Sequence, residues 1–311
     1  MSETSVFLSV VIPVFNEEAN IPIIHGKLSS ILVGEKNICE IIFVNDGSYD
    51  RSSEIIAGII ASDKRVKALH FTRNFGHQAA LTAGMDAAKG EILITLDCDL
   101  QDPPDLIPEM IKKWQQGAMV VFARRQRRDD IFLKKITAKF FYWLMRKFSD
   151  VKISGDIGDF RLVDRKVLVK LNNMREKSRY LRGMVAWLGF NYAIIDYDRP
   201  QRFHGKTGFS FLKMARFAMD GLLNFSLFPL RMGLVIGALC ILMGFSFLSY
   251  IIFDAVVNHV EYPLYKWLIV ALFMLIGFLF ILLWIIAEYI GKIYEEARGR
   301  PLYVVQRSDN L

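Results

Sequence analysis

Ile92-Leu93-Ile94-Thr95-Leu96-Asp97-Cys98-Asp99-Leu100-Gln101-Asp102-Pro103-Pro104 is a short apolar run that ends in two carboxylates spaced one residue apart. Read as a parallel strand, the run delivers Asp97 and Asp99 to its carboxyl end, where α/β sheets open a crevice for ligands. Mg²⁺ and Mn²⁺ prefer oxygen ligands and commonly sit between one or two protein carboxylates and the phosphates of a substrate. The pair therefore suits a divalent metal. Taken alone it equally suits a solvated acidic turn, so the surrounding sequence has to decide.

Working outward, similar runs recur at Phe7 to Pro13, Glu40 to Val44, Val66 to Phe71, Glu91 to Leu96 and Met119 to Ala123. Between them Glu17 to Leu32, Arg51 to Ala61, Gln78 to Ala88 and Asp105 to Gln116 have the longer amphipathic pattern of helices. Strands alternating with helices predict βαβ units and an α/β domain built on a mostly parallel sheet. No internal repeat or low-complexity tract interrupts this pattern.

The 311-residue chain carries a formal net charge of +7 and 53% hydrophobic residues, with a mean hydropathy of +0.28. The charge favours an anionic partner, and the hydropathy is high for a soluble protein. Residues 232–253 and 267–287 contain no Asp, Glu, Lys, Arg or His, and each is long enough to cross a bilayer core as a helix. They are expected to be transmembrane helices rather than buried helices of a soluble domain. The amino terminus lacks the features of a secretory signal. Arg231 precedes the first span and Lys292, Arg298 and Arg300 follow the second, whereas Asp254 to Lys266 holds a single Lys, so both termini are expected in the cytoplasm. Cys39, Cys98 and Cys240 are widely spaced and suggest neither disulfides nor a zinc site.

Arg124 to Lys147 carries nine Lys or Arg against two Asp, with Phe, Tyr and Trp interleaved. This composition fits an interfacial membrane helix, or a packing helix with a solvated basic face. The expected organisation is a cytoplasmic domain over 1–205 that includes a basic amphipathic segment at 124–148. An interfacial region at 206–230, the two spans within 231–290 and a cytoplasmic tail at 291–311 would follow.

Other strand ends carry polar groups. Pro13-Val14-Phe15-Asn16-Glu17-Glu18 opens a helix, and Asn45-Asp46-Gly47-Ser48 turns the chain where Asp46 could accept hydrogen bonds from a base or ribose. Arg73-Asn74-Phe75-Gly76-His77-Gln78 places a cation and several donors before a helix, a position suited to a diphosphate. His77 is either catalytic or an ordinary hydrogen-bond donor. There is no glycine-rich dinucleotide or P-loop motif.

These four motifs, in this order and spacing, resemble the family 2 glycosyltransferases with a GT-A fold. Gly158-Asp159-Phe160-Arg161-Leu162 and the two apolar stretches are similar to the polyprenyl-phosphate glycosyltransferases within that family, the group containing bactoprenol glucosyltransferases and dolichol-phosphate mannose synthase. The resemblance implies a Rossmann-like catalytic domain followed by interfacial amphipathic helices and two transmembrane helices. It implies that Pro13, Phe15, Glu17 and Asp46 hold the nucleoside of a sugar nucleotide, that Asp97 and Asp99 bind Mg²⁺ or Mn²⁺ at its diphosphate, and that Gln101 lies beside the donor sugar. Arg202 matches a position expected to meet the phosphates as a loop closes. Gly208 stands where many relatives have Lys.

A lipid phosphate is already an oxyanion, so transfer depends on positioning and on stabilising the leaving diphosphate. Arg124, Arg125, Arg128, Lys134 and Lys135 are the candidates for the acceptor phosphate. Asp156 and Asp159 would orient acceptor cations or act as base, or else form ion pairs with Arg161 or Arg165. The expected reaction is metal-dependent, inverting transfer of one hexose, with UDP-glucose the favoured donor, to undecaprenyl or another polyprenyl phosphate. Rival readings are a processive polysaccharide synthase, whose Gln-x-x-Arg-Trp signature is absent, and a noncatalytic sugar-nucleotide-binding subunit. The partners expected are the membrane, a second copy of the chain and a flippase, and nucleic acid is not among them. Arg300 to Val305 has strand character suited either to the sheet edge of a neighbouring chain or to docking on its own domain.

Overall fold

Leu8, Val10, Ile12 and Val14 pack into one apolar core and Val11 into another, the period of two that a strand shows when both its faces are buried. The computed structural model describes residues 6–32, 39–125, 157–177, 179–197 and 263–311, with isolated positions between 246 and 257. In it this run forms strand β1 (Leu8–Val14). The chain continues through helix α1 (Ile21–Ile31), β2 (Cys39–Asn45), α2 (Ser52–Ser62), β3 (Val66–Phe71), α3 (His77–Ala87) and β4 (Ile92–Thr95). A 3₁₀ turn at Pro104–Leu106 leads into α4 (Ile107–Gln115) and β5 (Val120–Arg125). After the undescribed segment come β6 (Ile157–Asp164), α5 (Arg165–Asn173), α6 (Leu181–Trp187) and β7 (Tyr192–Tyr197). The long helix α7 (Leu264–Ala297) and β8 (Val305–Asp309) close the order.

The strands form one sheet in the order β7-β5-β6-β4-β1-β2-β3-β8. Its central part, β4-β1-β2-β3, is wholly parallel, whereas β6 runs antiparallel to β4 and β5, and β8 antiparallel to β3. The antiparallel strands are the ones that the periodicity of residues 7–123 did not reach. Ile21, Ile24 and Leu28 of α1, Ile56 of α2, and Ile107 and Met110 of α4 fill one face of the sheet. Leu81 and Met85 of α3, Val167 and Leu171 of α5, and Met184 of α6 fill the other, giving three layers around two cores.

Helix α1 starts four residues later than its sequence pattern suggests. The carbonyl of Glu17 accepts from the amides of Asn20 and Ile21, making a turn, and Pro22 then opens the helix where no amide hydrogen is required. At the amino end of the sheet the buried carboxylate of Glu40 accepts from Ser9 Oγ and the Lys89 amide, both at 2.6 Å, and pairs with Lys67 Nζ at 2.6 Å. That charge is fully committed to structure.

The tail does not require a neighbouring chain. Its strand lies at Val305–Asp309, later than expected, and pairs with β3 of the same chain with His70 opposite Arg307. The 34-residue α7, about 50 Å long, contains the uncharged stretch 267–287. Some of its side chains, and nearly all of 232–253, lie outside the described residues, and among the described residues no helix is long and apolar enough to cross a membrane.

Helix α3 approaches β1 so closely that a Cβ on Gly84 would stand 2.2 Å from Val11 Cγ1 and 3.0 Å from its Cγ2. Gly84→Ala is expected to lower stability by about 1–3 kcal/mol through overpacking, measured as a fall in the thermal or urea midpoint of the purified protein.

Candidate functional site

Strand β4 pairs with β1 only as far as Val11 opposite Thr95, while β1 continues along β2 to Val14 opposite Asn45. Beyond Val11 the two carboxyl ends separate. Pro13 lies in this unpartnered part of β1, where its missing amide hydrogen costs no bond to β4. The crevice between β1 and β4 is a topological switch point, and the loops after β1, β2, β3 and β4 rim it.

Each of those four loops turns through one residue of positive φ: Asn16 (56°), Gly47 (67°), Gly76 (99°) and Leu100 (61°). At Gly47 a side chain is excluded twice over, because a Cβ would also lie 2.5 Å from the Arg73 carbonyl carbon and 2.7 Å from the Asn74 nitrogen. Leu100 holds its unusual backbone because its side chain is buried in the core, while Asp99 Oδ1 accepts from the Gln101 amide at 3.1 Å. The acidic turn is thus braced from beneath and from within.

Side chains zip the first three loops together. The Asn16 amide donates to Ser48 Oγ at 3.0 Å, the Tyr49 amide to Asn16 Oδ1 at 3.0 Å, and the Glu17 amide to Ser52 Oγ at 3.1 Å. Asp46 is buried and accepts from the Phe75 and Gly76 amides at 2.6 and 2.9 Å. Burial raises its pKa against those two hydrogen bonds, so this carboxylate first of all locks the entrance to α3. Its remaining lone pairs are what it has to offer a nucleoside. Phe15 is exposed and meets Tyr49 edge to face at 5.4 Å. Glu17 accepts from Asn20 Nδ2 at 2.5 Å. Arg73 lies over the Phe75 ring at 4.1 Å.

An ionic cluster joins β6, α6 and the start of α3 to the acidic turn. Asp159, on β6, is nearly inaccessible; Arg182 of α6 donates to it at 2.8 Å and 3.2 Å, and Arg161 at 3.2 Å. His77, the first residue of α3, places Nε2 3.5 Å from Asp159 and 3.6 Å from Asp97. Burial works against the imidazolium, yet the two carboxylates outweigh it and push the His77 pKa up to about 9. For Asp159 burial would raise the pKa, but Arg182, His77 and Arg161 together hold it well below the ordinary carboxylate range. Of the roles considered for Asp159, the ion pair is the one whose partners are present at this position. A carboxylate saturated by two guanidinium groups has little affinity for a proton. The ion pair involves Arg161 and Arg182 rather than Arg165, which donates to the Ala88 carbonyl at 2.6 Å.

Asp97 has the opposite character. Burial, together with the carboxylates of Asp102, Asp159 and Asp99, pushes its pKa up to about 6 despite His77. Its Oδ1 is buried without a hydrogen-bond partner. Cys98 beside it is pushed up by burial and by Glu17, Asp99 and Asp97, which brings Glu17 electrostatically into the same group. Asp102 is fully buried and accepts from the hydroxyl of Tyr197 at the end of β7, and Gln101 is buried beside it. Among the described residues no three His, Cys, Asp or Glu side chains form a metal cage. The two carboxylates of Asp97 and Asp99 nevertheless fit a hard cation that takes its other ligands from phosphate and water, as the orphaned Oδ1 and the crowding of negative charge indicate.

Arg124 is the one acceptor candidate whose side chain is described, and it forks onto Asp196 of β7 at 2.6 and 2.9 Å. The side chain of Arg125, and Arg128, Lys134, Lys135, Asp156 and Arg202 entirely, lie outside the described residues. Sequence reasoning missed Arg182 and Tyr197, and read Gln78 only as one donor of the motif that begins at Arg73. Gln78 Nε2 reaches Asp159 at 3.5 Å while its Oε1 accepts from the Leu181 amide at 3.2 Å, joining α3 to α6. Nothing in the composition around Arg182 or Tyr197 marks either, because what singles them out is a partner far away in sequence.

Residues 9–171 match the family described as Glycosyl transferase family 2. Over 301 residues the chain is 42% identical to an uncharacterized glycosyltransferase, YkcC, of Bacillus subtilis (strain 168), covering 96% of this chain and 93% of that protein. It is 39% identical to a prophage bactoprenol glucosyl transferase homolog of Escherichia coli (strain K12), covering 96% of this chain and 98% of the relative. Among solved structures it is similar to mannosyl-3-phosphoglycerate synthase from Rubrobacter xylanophilus, at 16% identity and a TM-score of 0.47 over 70% of this chain and 72% of that one.

Asp159→Ala leaves the fully buried Arg161 without its carboxylate and is expected to cost about 3–5 kcal/mol in chemical denaturation. Arg165→Ala, which removes a single donor to a carbonyl, is expected to cost only about 1 kcal/mol.

Proposed function

Because this chain belongs to glycosyl transferase family 2, and is an enzyme of the glycosyltransferase type, we propose that it moves one glucose from UDP-glucose to a polyprenyl phosphate at the cytoplasmic face of a membrane. The observation that carries this reading is the crowding of Asp97, whose Oδ1 has no hydrogen-bond partner and faces only His77 at 3.6 Å, with other carboxylates in the crevice between β1 and β4 that the four strand-end loops rim. The bactoprenol glucosyl transferases among the relatives support glucose as the sugar and a polyprenyl phosphate as the acceptor.

In this reading Pro13, Phe15, Glu17 and Asp46 hold the nucleoside, Arg73 faces the phosphates, and Gln101 lies beside the sugar. Asp97 and Asp99 hold Mg²⁺ or Mn²⁺, which when bound supplies positive charge against the departing diphosphate. The chain's own cations, His77 and Arg182, line the neighbouring wall and offset negative charge that grows as the glycosidic bond breaks. Transfer inverts the anomeric centre, with the lipid phosphate oxygen attacking opposite the leaving group. The acceptor is ionised, so no side chain has to remove a proton, and the low proton affinity of Asp159 is compatible with that. Arg202 completes the proposal at the donor phosphates, and Asp156 with Arg124, Arg125, Arg128, Lys134 and Lys135 on the acceptor side.

The tail supports the membrane arrangement in this reading. β8 pairs with β3, so the chain after α7 lies on the same side as the catalytic sheet. If 267–287 crosses a bilayer, residues 198–263 must cross it as well, and 232–253 is the stretch able to do so. The described side chains Leu268, Leu272, Leu275, Leu279, Leu283 and Trp284 of α7 are all exposed, as suits a helix whose surroundings are lipid.

Purified protein given UDP-glucose, undecaprenyl phosphate and Mg²⁺ or Mn²⁺ is expected to form a glucosyl lipid detectable by mass spectrometry. No glycolipid from any nucleotide sugar would sink the proposal. Asp99→Ala and metal chelation are each expected to lower turnover by at least about 100-fold.

A further inference from the structure

His70 is buried on β3, at some distance from the ionic cluster, and joins the last residues of the chain to the loops of the proposed donor site. Its Nδ1 lies 3.2 Å from Asn45 Nδ2, and Ser53 Oγ lies 3.3 Å away. An amide nitrogen can only donate, so Nδ1 is the acceptor and the ring hydrogen resides on Nε2. Nε2 lies 3.2 Å from Asp309 Oδ2, the carboxylate oxygen that faces that hydrogen. Arg307, 3.4 Å from Nε2, has its own acceptor in the same Asp309 oxygen at 3.0 Å. Burial lowers the His70 pKa, with Arg307 adding to it, in keeping with a neutral ring.

From Asn45 the connection runs on. With Nδ2 committed to His70, Asn45 Oδ1 accepts from the Ser48 amide at 3.0 Å, and Ser48 Oγ accepts from the Asn16 amide at 3.0 Å. Asn16 Oδ1 in turn accepts from the Tyr49 amide at 3.0 Å. Asn16 and Gly47, the two left-handed residues of these loops, are therefore held by a single directional series beginning at Asp309. Reversing the His70 tautomer would face its hydrogen toward an amide donor. The Asn45 side chain would then have to turn over and release Ser48.

We infer that Asp309, two residues from the end of the sequence, is a positioning residue for nucleotide binding: it selects the His70 tautomer and thereby orients the Asn16 and Asn45–Ser48 loops. This rests on the reading of those loops as the donor site. It gives the carboxyl-terminal strand a role in the reaction beyond covering the sheet edge.

The test is calorimetric titration of UDP into the full-length protein, alongside steady-state kinetics with UDP-glucose. Asp309→Ala is expected to weaken UDP binding and raise the donor KM by about tenfold with kcat within about twofold, the effect of one lost buried hydrogen bond. Asp309→Asn retains a carbonyl acceptor for Nε2 and is expected to restore wild-type affinity. Asn310→Ala loosens the same strand by removing donors to the Lys64 and Val66 carbonyls at 2.8 and 2.9 Å. It is expected to lower the thermal midpoint without changing UDP affinity. Wild-type affinity in Asp309→Ala, or an equal loss in Asn310→Ala, overturns the inference. Asp46→Ala separates the two levels: if it binds UDP as wild type does, the donor-site reading fails and the inference with it. Weak binding in Asp46→Ala beside normal binding in Asp309→Ala removes the inference alone.

Discussion

Strand β1 has two parallel neighbours for only part of its length, and the functional face of the protein depends on that. Up to Val11 it is held by both β2 and β4; from Ile12 onward β2 alone remains. The gap lies at the carboxyl edge, where strand amides and carbonyls run out of ladder partners and polar side chains must satisfy them or leave them to a ligand. Ser48, Ser52, Asn16 and Asp46 serve the first purpose through side-chain to backbone bonds between loops. Asp97 Oδ1, which has no hydrogen-bond partner and faces His77 Nε2 at 3.6 Å, is the group proposed for the second.

Charge is sorted across this gap. On the β4 side Asp97, Asp99 and Asp102 crowd together, and the crowding raises the proton affinity of Asp97. On the β6 side Asp159 is overcompensated by Arg161, Arg182 and His77. Asp159, the less accessible of the two carboxylates, thus has the lower proton affinity and the half-buried Asp97 the higher, because their neighbours differ in sign. One half of the crevice gathers carboxylates and the other presents cations, and it is on this separation that the proposed sugar-nucleotide site rests.

The carboxyl terminus is built into the catalytic unit. Tyr303 stacks on Phe71 at 5.2 Å and donates to Asp86, which also takes a fork from Arg175. Lys177 accepts the end of α7 by donating from its backbone to Glu296 at 2.5 Å and from its side chain to the Arg300 carbonyl. The loop that grips α7 leads within five residues to Arg182, so the orientation of the long helix and the setting of the ionic cluster share one short segment.

The alternation of apolar and amphipathic runs was enough to read the five strands and four helices between residues 7 and 123, since burying both faces of a strand leaves a local signature. The acidic turn and the loop motifs were legible too, because turns demand particular residues at adjacent positions. Three things were not legible. Strand β6 was visible only as the motif Gly158 to Leu162, β8 was placed too early, and Asp159 was left open between base and ion pair. Each depends on partners outside its own element, such as Thr95 Oγ1 donating to the Asp159 carbonyl, Arg182 meeting Asp159, or Asp309 meeting His70. The sequence by itself determined the fold class and the chemistry available at each strand end, because both are written in local patterns. Tertiary structure decided which charges meet, setting Asp159 among Arg161, Arg182 and His77 and crowding Asp97 with other carboxylates, because a proton affinity is set by the neighbours that folding brings together.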